Sequence, residues 1–187
     1  PIICEIGGGY GGLIAKIKSN VKRAKIIMFD LPEVNACQSY YLSQVFNGAI
    51  IFGYEDFLEK GISILYSDFD FLILPGWAVQ QLPKELVDVF VNIRSMMEMS
   101  KENLDFYFNL IQTSLKIGGI FTCFNRYQKT VGSFENKFMF YPFDNDWEAL
   151  MSHPSIFQPH IHQLILKRMK ENSGSDFKER LREIQQK

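Results

Sequence analysis

Glu5-Ile-Gly7-Gly8-Gly9-Tyr10-Gly11-Gly12 sets a carboxylate against a glycine cluster directly after the apolar run Ile2–Ile6. That order belongs to a buried strand, a tight turn and a helix N-terminus, where backbone N–H groups and the helix dipole receive a negatively charged ligand group. Asp30 stands near the offset, about 20 residues on, at which an acid accepts hydrogen bonds from two ribose hydroxyls. Further along, Glu98, Arg126 and the three histidines His153, His160 and His162 are able to move a proton or hold an anion.

The loop has two readings. Gly7-x-Gly9-x-x-Gly12 satisfies a dinucleotide fingerprint, whereas Glu5-x-Gly7-x-Gly9-x-Gly11 satisfies the loop that holds S-adenosylmethionine (SAM). A pyrophosphate wants the helix N-terminus alone; SAM adds an ammonium, which an acid at Glu5 would meet. The loop by itself does not choose. On either reading Asp30 takes the ribose; on the SAM reading the cofactor set is Glu5, Gly7, Gly8, Gly9, Tyr10, Gly11, Asp30, Leu31, Gly76, Trp77 and Asn92. Asp30 has a second possible role as the cap of the next helix. An indole at Trp77 suits an adenine pocket or a core equally.

These groups need elements to position them. Ile2–Ile6, Lys25–Asp30, Phe71–Leu74, Val87–Ile93 and Ile120–Phe124 read as buried strands, with Ala49–Phe52 a short further one. Helices are predicted over Tyr10–Ser19, over Glu33–Phe46 after Pro32, and from an N-cap at Ser100 to about Leu115, where Lys116–Gly119 closes the turn. Tyr127–Asn145 has no period and reads as a long functional loop. Trp147–Ser152 and Ile161–Lys167 form an antiparallel pair. The alternation predicts an α/β fold: a Rossmann-like, doubly wound, mostly parallel seven-stranded sheet with an antiparallel C-terminal hairpin and helices on both faces. The glycine loop, Asp30, Gly76-Trp77, Asn92–Glu98 and Asn125-Arg126 all follow strand ends, so they are expected to converge on one cleft.

Composition narrows the classes. The chain has 187 residues, 47% of them hydrophobic, and a net charge of −1, which disfavours a nucleic-acid binder. Seventeen Phe imply core packing. Cys4, Cys37 and Cys123 have no paired spacing and fit free thiols in a reducing cytoplasm. No apolar run reaches ~18 residues, so no membrane span is expected. Residues 1–170 are read as one catalytic domain. Opening directly on a strand implies an upstream N-terminal region. Residues 171–187 are read as a flexible break at Ser173-Gly174-Ser175 and a charged helix over Asp176–Lys187.

The second half of the chain breaks the tie. Leu115-Lys-Ile-Gly118-Gly119-Ile-Phe-Thr looks like the lead into strand five of class I methyltransferases. Trp147–Ser152 with His160–Arg168 is similar to their closing antiparallel hairpin; a nicotinamide domain would have a parallel strand there. Phe29-Asp-Leu-Pro-Glu33, Gln38-Ser-Tyr-Tyr-Leu42, Ser95-Met-Met-Glu98-Met99, Tyr107-Phe108, Asn125-Arg126 and Lys129 then follow in order. Together they resemble the sugar O-methyltransferase family of bacteria, over most of residues 1–168. The resemblance implies SAM as cofactor and a small-molecule sugar or glycan precursor as acceptor.

Methyl transfer to a hydroxyl needs alignment, exclusion of water and a proton acceptor. Glu98 ranks first as base, its alternative being a surface carboxylate at the mouth of the next helix. His153, read as lying in a loop, ranks second. Arg126 would hold an acidic part of the acceptor, and Asn92 and Asn125 would hydrogen-bond donor or acceptor. His160 and His162 would share a strand face, but no carboxylate accompanies them, so no metal is expected.

Overall fold

The computed structural model describes residues 1–170 together with Phe177 and Leu181. The break at 173–175 lies outside the described residues. So does the terminal helix, apart from Phe177 and Leu181, which are helical and buried. The chain forms two compact units, Pro1–Pro83 and Lys84–Lys187.

The first unit carries β1 (Ile2–Ile6), α1 (Gly12–Asn20), β2 (Lys25–Asp30), α2 (Pro32–Val45), β3 (Ile51–Phe52), α3 (Tyr54–Lys60) and β4 (Phe71–Pro75). Its strands lie in the order β3-β4-β2-β1, all parallel. Ile26, Ile27, Met28 and Phe29 are buried one after another, the pattern of a strand covered on both faces. Pro32 opens α2 in its first turn, where a missing N–H costs nothing. Three elements depart from the sequence pattern. α1 starts two residues later than Tyr10, because the glycine loop occupies the intervening residues. α3 and the 3-10 turn Gly61–Tyr66 fill a stretch with no predicted helix.

The second unit carries β5 (Val87–Ile93), α4 (Lys101–Ser114), β6 (Leu115–Arg126), β7 (Gln128–Val131), β8 (Phe134–Lys137), β9 (Trp147–Pro154) and β10 (Ile161–Arg168). β5 and β6 are parallel neighbours. β10 runs antiparallel to β6, and β9 antiparallel to β10, as the closing hairpin predicts. Ser100 caps α4 by accepting from the Asn103 N–H. Phe108, Phe121, Phe143 and Trp147 interlock as a ring cluster, with Phe177 against Phe143, so the Phe excess does serve the core.

Two predictions for this unit need correction. Lys116–Gly119 does not close a helix. It is the irregular start of β6, where Val87 faces Leu115 and Val89 already faces Ile120. Tyr127–Asn145 is not a loop throughout: β7 and β8 form a separate two-stranded ribbon. Its two-residue turn is Gly132-Ser133, and Gly132 has the positive φ of 60° that such a turn requires.

Candidate functional site

In the first unit, β1 and β2 end side by side, with Glu5 facing Met28 and Ile6 facing Phe29. The backbone of Gly7, Gly9 and Gly11 takes left-handed φ values of 70°, 55° and 93°, which turns the chain from β1 into α1 within five residues. Across this loop sits Asp30. Its Oδ1 accepts from the Leu31 N–H at 2.9 Å, and its Oδ2 accepts from the Gly9 N–H and from Gln38 Nε2, both at 3.1 Å. The N-cap of α2 is Leu31, not Asp30, so the capping alternative falls away. Gln38 also donates to the Gly9 carbonyl at 2.8 Å.

Glu5 lies beneath the loop, 2% exposed, and its Oε2 is buried with no partner. Burial, and secondarily the Asp30 charge, push its pKa from 4.5 to about 7. A Cβ on Gly8 would collide with that oxygen, so any larger residue there would force the buried Glu5 carboxylate to shift. A buried acid without a counter-charge is costly unless a ligand supplies one. Leu31, Tyr10 and Trp77 are exposed large side chains of the same unit. Trp77 follows β4 in the 3-10 turn Gly76–Gln81 and meets the Tyr54 ring edge-on at 6.1 Å. At 55% exposed it is no core residue.

In the second unit, the predicted residues have different fates. Asn92 and Asn125 are fully buried. Asn125 donates to Asn92 Oδ1 at 2.9 Å and accepts from the Met97 N–H at 3.1 Å, while Asn92 donates to Ser95 Oγ. Their amides tie β5 and β6 to the 3-10 turn Met96–Glu98. Asn92, expected to meet a ligand, thus has scaffold partners on both its amide oxygen and its nitrogen. Asn136 on β8, which the sequence did not single out, donates to the Met96 and Met99 carbonyls and fastens the ribbon to the same turn. Its signal, a lone Asn in an alternating strand, is too weak to read.

Glu98 is an exposed carboxylate paired with Lys129 Nζ at 2.5 Å, which supports its surface alternative over that of a base. Arg126 ends β6, and its Nε is buried without a partner. His153 is not in a loop: it lies on β9, exposed, with Nδ1 2.8 Å from the Pro154 carbonyl. His160 lies before β10 rather than on it, so it shares no strand face with His162. His162 is buried between Tyr127 OH and Ser152 Oγ, each 3.0 Å away, and burial lowers its pKa to about 4. Among the described residues no three His, Cys, Asp or Glu side chains gather as metal ligands. Cys4 and Cys123 are buried and Cys37 exposed, all three free. No described helix is long and apolar enough to cross a membrane.

Comparison with known proteins agrees with this geometry. The O-methyltransferase domain family matches residues 1–74, the segment that holds the glycine loop, Asp30 and Gln38. No curated protein matches the sequence. Among solved structures, the chain is similar to a SAM-dependent methyltransferase from Aquifex aeolicus, at 10% identity and a TM-score of 0.59, over 90% of this chain and 82% of that one. It is similar to the mitomycin 7-O-methyltransferase MmcR, at 15% identity and a TM-score of 0.58, over 89% and 48%. An O-methyltransferase family 2 protein from Planctomyces limnophilus, in complex with apigenin, aligns at 12% identity and a TM-score of 0.56, over 90% and 51%. The chain thus spans about half the length of MmcR. The fold is the Rossmann-like α/β fold of these methyltransferases.

Proposed function

We propose that the chain is a SAM-dependent O-methyltransferase domain whose acceptor is a hydroxyl of a sugar or glycan precursor. The observation that carries the cofactor is the partnerless Glu5 carboxylate beneath the glycine loop. The pyrophosphate of a dinucleotide, the part that would sit at this loop, brings only negative charge to it; the methionine ammonium brings a cation. Asp30 would take the ribose hydroxyls, Gly7–Gly11 the carboxylate end, and Leu31, Gly76 and Trp77 the adenine. SAM supplies the electrophilic methyl group. The match of residues 1–74 to the O-methyltransferase domain supports the reaction class.

The sugar acceptor rests on the resemblance of Phe29–Glu33, Ser95–Met99 and Asn125-Arg126 to the bacterial sugar O-methyltransferase family alone. Arg126 would hold an acidic part of the acceptor, its buried Nε being without a partner. The antiparallel β10 disfavours a nicotinamide-dependent oxidoreductase, which predicts a parallel strand there. Calorimetry with SAM, S-adenosylhomocysteine and NAD tests the cofactor. Binding of the sulfur nucleosides without NAD is expected, and NAD binding alone would overturn it. Methyl release onto a panel of sugar nucleotides, glycans and phenols tests the acceptor.

A further inference from the structure

Gln38 is wholly buried on α2, and its carboxamide is set in one sense only. Both its partners, the Gly9 carbonyl and Asp30 Oδ2, are acceptors, so the NH2 group must face them. The consequence is a buried Oε1 with no partner. Leaving a buried carbonyl unpaired is unfavourable, and the chain tolerates it to keep both N–H groups on the loop and the acid. An amide that only donates at Asp30 Oδ2 requires that oxygen to be unprotonated.

We propose that Gln38 is a positioning residue for the cofactor ribose, holding Asp30 ionised and the glycine loop tied to it. This rests on the cofactor reading above, in which Asp30 receives the ribose. Gln38 touches no cofactor atom; it acts through Asp30 and Gly9. The charged and titratable groups around it are Asp30 from β2, which burial pushes above its ordinary pKa while the hydrogen bonds from Leu31, Gly9 and Gln38 pull it back, and, beneath the loop, Glu5 from β1, which the Asp30 charge helps to raise.

The test uses 5′-methylthioadenosine, which keeps the adenosine but lacks the ammonium that Glu5 would meet. Its Kd is compared between wild type, Gln38→Met and Gln38→Glu from pH 6 to 8, each also in a Glu5→Gln background, so that titration of Glu5 is removed from the ratio. Gln38→Met is expected to weaken binding about tenfold at every pH, as for loss of a charge-assisted hydrogen bond. Gln38→Glu should be weakest at pH 8 and recover toward wild type at pH 6, where the introduced carboxyl, once protonated, again donates to Asp30. A merely structural role would give a pH-dependent change in the unfolding free energy of Gln38→Glu, measured alongside in urea, with the Kd of the folded variant within twofold of wild type at every pH.

Should either variant unfold, the wild-type Gln38 side-chain NH2 signals serve instead: slow exchange with water and a shift on adding the nucleoside are expected. Variants that bind within twofold of wild type at all pH values, or NH2 signals that exchange freely and stay put, overturn the role of Gln38. Failure of wild type to bind either methylthioadenosine or S-adenosylhomocysteine would instead remove the cofactor reading.

Discussion

Replacing Glu5 by Gln should stabilise the chain while weakening its hold on a cationic ligand. In the folded protein the Glu5 pKa is raised to about 7 from 4.5. The sign follows directly. A raised folded pKa contributes stability below 4.5 that is lost as pH rises through about 7. From the two pKa values the loss amounts to about 2 kcal/mol at pH 6 and about 3 kcal/mol at pH 8. Glu5→Gln keeps the shape and removes the titration, so its unfolding free energy should lack that decline.

Ligand binding shows the converse. An ammonium beside Oε2 requires the carboxylate, so binding expels the proton: about 0.9 at pH 6, 0.5 at pH 7 and 0.1 at pH 8. The apparent Kd for S-adenosylhomocysteine should therefore tighten about tenfold from pH 6 to pH 8. Calorimetry in buffers of different ionisation enthalpy counts the protons, and urea unfolding at both pH values measures the stability arm. The reasoning is refuted if methylthioadenosine, which has no ammonium, releases as many protons as S-adenosylhomocysteine. Parallel stability–pH curves for wild type and Glu5→Gln would refute it equally.

Asp30→Ala should cost about 1–3 kcal/mol of S-adenosylhomocysteine affinity, since it removes a charged acceptor of the ribose; an unchanged Kd would deny that role. Gly8→Ala places a methyl group on the Glu5 carboxylate and should cost about 1–3 kcal/mol in unfolding free energy along with cofactor binding. Glu98→Gln should shift stability by less than about 1 kcal/mol, as for an exposed ion pair, and should leave turnover within a few-fold. A collapse of kcat would restore Glu98 as the base. Asn125→Leu leaves the Met97 N–H buried and unpaired and takes from Asn92 Oδ1 one of its two donors, the Met96 N–H remaining, and should destabilise by about 1–3 kcal/mol in denaturant titration.

Local pattern alone located β1, β2, β5 and the closing hairpin, because buried strands declare themselves by uninterrupted apolar runs and by flanking glycine, proline or acid. It also singled out Glu5, the glycine loop and Asp30, whose offsets along the chain reflect a strand–turn–helix–strand unit with little freedom. The β7–β8 ribbon escaped, since its strands are four residues each and mostly polar, and only the Gly132-Ser133 turn marks them. Misplacing His153 followed from ending β9 two residues early. Whether a polar side chain serves a ligand or the scaffold depends on partners distant in sequence. Asn92 meets Asn125 only through the β5–β6 pairing, and Glu98 meets Lys129 only once the chain beyond β6 has folded back. The buried state of Glu5 and the single orientation open to the Gln38 amide are likewise tertiary facts. Periodicity records which residues shun water, while charge and hydrogen bonding are settled by what each group finds once water has been removed.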